Sequence, residues 1–494
     1  MTDTTSLPEP VGTGPEGWPS ATELAGRIAS GEAGAREVLE GYLARIDALD
    51  PALNAFCHVE HDQARQVADA ADARVAAGGP LPPFLGVPIA IKDLHPVRGR
   101  PLCSASNAVE HRVMDADAPA VKALREAGFV FVGATTSPEF GTVSVTESLR
   151  HGVTRSPWDL NRSPGGSSGG AAAAVAAGLL PVAHGSDGAG SIREPASFCG
   201  LVGLKPSRGR VPSDAHYMEG FATEGVLTRT VLDTAAILDV LAAAPQSTWY
   251  SAPPADEPYR RQAQRDPRRL RVGLNLQPAF PAEVHPAAVA LARRAADLLA
   301  DLGHEVVEQS IPGLDPDWFQ PRFEILYATG SADCAVVDES AAEPLNRTLR
   351  QAARETDSLT YVRTMLELQW RSAEMYRAWE AVDVLLTPTN PVLAPSEGAL
   401  WQGQDADPWL PLRRAEETAS LTALANMLGL PAISIPLVEQ PGGLPLGVQL
   451  IGGRWCDGTV LALAGQLERA HPWRHRRPSM PMTIESAGRN TSWI

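Results

Sequence analysis

The stretch Gly169–Asp187, GGAAAAVAAGLLPVAHGSD, decides how the chain folds. It opens on small, mostly alanine residues that favour helix. Gly178 interrupts it, and a short apolar run follows, ending near His184. That pattern is a helix followed by a strand. The same unit stands upstream in Ala118–Thr136, APAVKALREAGFVFVGATT, as a helix stopped at Gly128 and a strand from Phe129 to Val132. It returns in His285–Gln309, HPAAVALARRAADLLADLGHEVVEQ. Pro83–Leu94, PFLGVPIAIKDL, reads as a buried strand leading into a loop, with Lys92 near its end. Alternating helices and strands predict an α/β fold whose sheet is covered on both sides.

The flanks fit this plan. Ser20–Asp50 reads as helix, with Ser20 and Glu23 forming a capping box and Gly31 a candidate break. Val38, Leu39, Tyr42, Leu43, Ile46 and Leu49 recur there at helical spacing. Asp62–Gly78 is a further helix. Pro431–Gly453 is expected to form a hairpin with Pro441-Gly442-Gly443 in its turn, followed by a helix over Gly458–His471. The region from about 245 to 395 is less regular. Its Pro/Arg-rich part, Pro253–Arg269, is expected to be exposed. The aromatic-rich helical stretch Tyr361–Leu386 is expected to be core rather than ligand-binding. No repeat of the solenoid or propeller kind is present.

Composition excludes several classes. The chain has 494 residues, 44% of them apolar and 20% charged, enough for a large core. A formal charge of -16 argues against nucleic acid, which needs a basic surface. The N-terminal segment lacks a basic and an apolar block, so no secretory signal is expected. The longest apolar run is too short to span a bilayer. Five scattered cysteines without a C-x-x-C pair fit a reducing cytoplasm, and predict neither a disulfide framework nor a zinc site. Of 42 basic residues only Lys92, Lys122 and Lys205 are lysines. Arginine cannot readily lose its proton, whereas a buried lysine can. Each lysine therefore invites inspection.

Two glycine-serine clusters, Ser163–Gly170 (SPGGSSGG) and Gly185–Ser191 (GSDGAGS), admit three chemistries. A phosphate cradle fails because Ser191 stands where a P-loop has lysine. A nucleophile elbow matches G-x-S-x-G at Ser167, but turn-like residues precede it where a buried strand is required. A serine-lysine amidase fits best. A serine hydroxyl needs a base, a buried neutral lysine can be one, and backbone N–H groups of a glycine-rich turn can hold an oxyanion. Gly188, Ala189, Gly190 and Ser191 offer four such donors in a row. A helix starting after Ser191 would add favourable charge.

These segments together resemble the amidase signature family. The resemblance rests on PIAIKD (88–93), GGSSGG (165–170) and GSDGAGSIREPASFCGLVGLKPSRGR (185–210). It extends through NAFCHV (54–59), GATTSPEFG (133–141), TPTNPVLAP (387–395) and GLPLGVQLIGG (443–453). Within the family, VAHGSD and VGLKPSRGR resemble the nylon-oligomer cyclic-dimer hydrolases. The resemblance implies an amidase signature fold, a three-layer α/β/α domain with a twisted mixed central sheet. It implies Ser191 as nucleophile, Ser167 as a bridging serine on a cis peptide, and Lys92 as base. The oxyanion would rest on the N–H groups of residues 188 to 191, with Ser168, Asp187 and Arg193 in support. Residues 1–80 would be a helical segment packed on the core, and 81–245 the core with the reacting residues. Residues 246–395 would be a variable, pocket-shaping region, and 396–494 the rest of the same core.

Competing readings attach to several residues. Lys92 could instead pair with Asp93. Asp187 and Arg193 read as loop-fixing partners, His184 as a core histidine, and Lys205 as bonded to carbonyls. Glu194 is expected to meet Arg193 or solvent. If Ala189 needed positive φ the loop would be strained. The expected protein is a cytoplasmic hydrolase of a small-molecule amide, with no metal, cofactor, nucleic acid or membrane, and a homodimer compatible with it. The alternatives are the amidase subunit of a tRNA-dependent amidotransferase, an amide-forming acyltransferase and an inactive scaffold.

Overall fold

Helix Gly169–Ala176 carries no side chain larger than valine and is buried on every side. A helix apolar all round belongs in a core, and small side chains let neighbouring backbones approach it closely. The chain leaves it through Gly178, whose φ is 69°. A Cβ there would lie 2.7 Å from the Trp18 ring, so the turn tolerates only glycine. The computed structural model describes residues 9–479 apart from positions 11, 15–16, 111, 215–216, 247 and 438–442.

One eleven-stranded sheet organises the chain. Its strands are β1 (Phe56–Val59), β2 (Pro88–Lys92), β3 (Val130–Thr135), β4 (Val182–Asp187), β5 (Val202–Lys205), β6 (Thr223–Thr228), β7 (Arg271–Leu274), β8 (Glu305–Glu308), β9 (Val384–Pro388), β10 (Ala432–Ile435) and β11 (Val448–Gly452). Their spatial order is β1-β3-β2-β4-β6-β5-β10-β11-β9-β7-β8. The pairs β2–β3, β2–β4, β7–β8 and β7–β9 are parallel, and the remaining neighbours are antiparallel. The sheet is therefore mixed, and with its helical layers the fold is α/β. The largest apolar cluster runs from Ala21 to Trp473, so both ends of the described chain close on the same core. A second cluster gathers Phe280, Phe319 and Phe323, with ring centroids 4.9–5.7 Å apart.

Most elements lie where the pattern predicts. The Ser20–Glu23 capping box is complete, and helices Ala21–Ala29 and Ala35–Leu53 flank the expected break. Two strands run further than expected: β3 reaches Thr135 and β4 reaches Asp187. Pairing with β6 carries β4 on, since Thr223 faces Asp187 and Glu224 faces Ser186. Antiparallel β10 and β11 correspond to the expected hairpin, but its turn lies, Gly443 aside, outside the described residues.

Helix Ser358–Met375 corrects an expectation. Only Thr364, Leu368, Ser372 and Met375 are buried, whereas Leu359, Val362, Leu366 and Trp370 are exposed, Trp370 by 69%. Its apolar residues are spread around the helix, and the fold can cover only one stripe.

Candidate active site

Strand β2 ends at Lys92, which is 1% exposed. Parallel pairing of Ala90 with Ala183 lays β2 along β4. In the extended backbone alternate residues share a face, so His184 and Ser186 project together from β4. Lys92 Nζ lies 2.7 Å from Ser167 Oγ and 3.2 Å from Ser186 Oγ. Burial lowers its pKa to about 7, while the charges of Asp187 and Glu224 work in the opposite direction. Asp93 is not its partner: that carboxylate receives Cys103 Sγ and the Ala105 N–H.

Ser167 follows a cis peptide bond from Gly166. Ser168 ties the two glycine-serine loops together. Its N–H donates to the Ser191 carbonyl at 3.2 Å, and its hydroxyl to the Ser186 carbonyl at 3.2 Å. Ser191 stands half-buried in the turn before helix Arg193–Cys199. Ser167, Ser186, Gly188 and Ser191 line one cleft of about 730 Å³, and Lys92 sits behind that wall. Ser191 also borders a pocket of about 20 Å³ with Ala189, Tyr327 and Glu194.

The turn itself rests on a buried ion pair. Arg193 Nη2 meets Asp187 Oδ1 at 2.8 Å, both side chains fully enclosed. Asp187 also accepts from the N–H groups of Ile192 and Arg193. Arg193 donates further to the Thr422 carbonyl and Gln449 Oε1. Asn426 Nδ2 donates to the carbonyl and carboxylate of Asp187. Burial opposes charge on Asp187, but Arg193 and Asn426 prevail and hold its pKa at about 2. The positive φ in this turn falls on Gly190 (152°) and not on Ala189, so Ala189 brings no strain. A Cβ on Gly190 would lie 2.0 Å from Glu194 Oε1. Among the described residues, the N–H groups of Ala189, Gly190 and Ser191 donate to no other group.

Glu194 departs from expectation. It is buried, receives the Thr422 hydroxyl at 3.1 Å, and forms no ion pair with Arg193, which is committed to Asp187. Burial pushes its carboxyl well up. Lys205 Nζ donates to the Pro206 carbonyl at 2.8 Å, the bond expected of it.

Several site residues escaped the sequence reading. Ser186 would have emerged had β4 been extended two residues, because it shares the His184 face. His184 Nε2 and His95 Nδ1 lie 2.9 Å and 3.2 Å from the same Glu224 oxygen. Burial lowers His95 to about 4. Nothing local marks Thr422, Asn426 or Gln449, which reach Arg193 from more than 220 residues away. Among the described residues, two groups could hold a metal ion: His95, His184 and Glu224, and Cys57, Asp93 and His151.

The family model described as Amidase matches residues 37–461. The chain belongs to the amidase signature family. AmiB2 of Mycobacterium tuberculosis is 39% identical over 477 residues, covering 93% of this chain and 98% of that one. The 6-aminohexanoate-cyclic-dimer hydrolase of Paenarthrobacter ureafaciens is 37% identical over 489 residues, covering 94% and 97%. A solved 6-aminohexanoate cyclic dimer hydrolase in complex with substrate superposes with a TM-score of 0.87 at 34% identity, covering 94% of this chain and 99% of that one. As a member of the amidase signature family the chain is an amidase, a hydrolase of carboxamide C–N bonds. No described helix of this amidase is long and apolar enough to cross a membrane.

Proposed function

We propose that this amidase cleaves small carboxamides through an acyl-serine intermediate, with Ser191 as nucleophile, Ser167 as proton bridge and Lys92 as base. One observation carries the assignment. A fully enclosed lysine stands 2.7 Å from a serine hydroxyl in the wall of a cleft that Ser191 also lines.

The steps balance. Ser191 Oγ attacks the amide carbon as its proton passes to Ser167 Oγ and the Ser167 proton passes to neutral Lys92. The carbonyl oxygen gains negative charge and accepts from the N–H groups of residues 188–191, which no other acceptor occupies at 189–191. Collapse breaks the C–N bond, and the leaving nitrogen takes its proton back from Lys92 through Ser167. Water then adds by the same route and releases the acid, restoring Ser191. Ser168, Asp187 and Arg193 act by position: the first joins the two loops, and the ion pair fixes the turn.

A cleft of about 730 Å³ suits a small ligand. The cyclic-dimer hydrolases among its relatives make cyclic and linear amides of that size the first substrates to test. Tyr327, Thr329, Gly330 and Tyr361, all within 246–395, also line the cleft, and we assign this region the shaping of the pocket.

Labelling with a fluorophosphonate followed by peptide mapping tests the reading. The expected adduct is on Ser191, absent in S191A. An adduct on Ser167 would overturn the assignment. Turnover of a panel of small amides by the isolated chain, with water as acceptor, separates hydrolysis from acyl transfer to an amine.

A further inference from the structure

Four side chains converge on the far side of the Lys92–Asp93 turn from segments distant in sequence. Cys57 lies on the edge strand β1. The register there steps from Phe56 opposite Thr135 to His58 opposite Ala134, so Cys57 is the extra residue of a bulge. Bulges redirect a side chain in this way. Asp93 follows β2 directly and is buried. Cys103 precedes Ser104 and Ala105, both at positive φ (49° and 54°). Consecutive non-glycine residues in that region are uncommon and persist where their surroundings fix them. His151 caps the turn between the short strands Glu147–Ser148 and Gly152–Val153.

Three of the donor atoms stand at ligand spacing, and the fourth, Cys57 Sγ, lies within 4.8 Å of two of them. Cys103 Sγ is 3.1 Å from Asp93 Oδ2 and 3.6 Å from His151 Nε2. His151 Nε2 is 3.3 Å from Asp93 Oδ2. Ligand atoms of Cys57, Asp93 and His151 all lie within 4.8 Å of one another. Tetrahedral zinc, with bonds of about 2.0 Å to nitrogen or oxygen and 2.3 Å to sulfur, sets its ligands roughly 3.3–3.8 Å apart.

We propose that Cys57, Asp93, Cys103 and His151 form a structural site for a divalent transition metal, zinc above all. Two thiolates, an imidazole and a carboxylate are a donor set that favours zinc over the hard cations. Each thiol gives its proton to solvent on binding. Three ligand charges against two leave the site one unit negative, beside the guanidinium of Arg150. The metal would cross-link the edge strand, the turn after Lys92 and the loop at Cys103. Leu102 and Ser104 of that loop line the cleft, so the site would brace one cleft wall.

The full chain, stripped with a chelator, is titrated with Co²⁺. The expected result is one equivalent bound, with a thiolate-to-cobalt charge-transfer band and the intense visible bands of a tetrahedral ion, displaced by one equivalent of Zn²⁺. C57S and C103S should each weaken binding by more than the roughly 10–100-fold that losing an outer-shell partner costs, and should diminish the charge-transfer band. No stoichiometric binding would overturn the proposal. So would a spectrum without the thiolate band, which binding at His95, His184 and Glu224 would produce. Should the cysteine variants fail to fold, H151N decides: unchanged affinity there overturns the site.

Discussion

Two lysines of this amidase end two strands of one sheet, and both are fully buried. Lys92 closes β2 and Lys205 closes β5. Burial is the main influence on each, and it brings both down to about 7. Their partners differ. Lys92 faces two serine hydroxyls in a cleft wall, whereas Lys205 meets the carbonyl of its own neighbour, Pro206. A carbonyl can hold an ammonium but has no proton to give. The lesson is that desolvation prepares a base, and only a proton donor with access to substrate makes one useful.

The widest separation between the two lysines should come from S191A and K92A. Each is expected to lower turnover by about 10⁴-fold or more, with folding intact by circular dichroism, as loss of a member of such a unit does. If K92A kept full activity, the two lysines would be equivalent and the relay wrong.

D187N tests the support beneath the turn. It leaves Arg193 buried without its counter-charge, and denaturant unfolding should show a loss of about 3–5 kcal/mol. The Asp187 carboxyl is held at about 2, below its ordinary value of 3.8. A depressed folded pKa stabilises fully above the unfolded pKa and fades as pH falls through the folded one. The wild-type stability should therefore drop between about pH 4 and pH 2, and D187N should flatten that stretch of the curve.

S186A removes the second hydroxyl from Lys92. One hydrogen bond near 1 kcal/mol predicts a loss of about fivefold in kcat. A loss as deep as that of K92A would make Ser186, and not Ser167, the proton bridge.

The smallest effect on turnover should be that of K205M, within roughly threefold of wild type. The stability that depends on Lys205 should change with pH in the same direction as that of Asp187, but in a higher window. A lysine depressed in the folded state costs most below about pH 7, and stability rises as pH climbs toward the unfolded value of 10.5. K205M should remove the Lys205 share of that rise and leave the share of Lys92.

Much of the fold was legible because its units are local. Helix Gly169–Ala176 and β4 follow from alanine content, one glycine and an apolar run, and neither needs a distant partner to be recognised. The end of β4 was not legible, because Gly185 and Ser186 have weak strand preference and β6 supplies the pairing that extends them. Helix Ser358–Met375 was misjudged for a related reason: apolar content alone does not say which face the rest of the chain will cover.

The candidate site divides in the same way. Sequence alone determined the family resemblance and the helix–strand alternation, and it singled out Lys92, Ser167 and Ser191 as candidates, because these reside in short motifs. Only the tertiary structure decided that Lys92 has two hydroxyl partners, that Glu194 is buried, and that Thr422, Asn426 and Gln449 hold Arg193. It alone brought Cys57 and Cys103 toward one point, where linear spacing predicts no metal site. The physical reason is range. Propensity and periodicity act over a few residues, whereas burial, charge pairing and ligand geometry depend on which distant segments the closed sheet sets side by side.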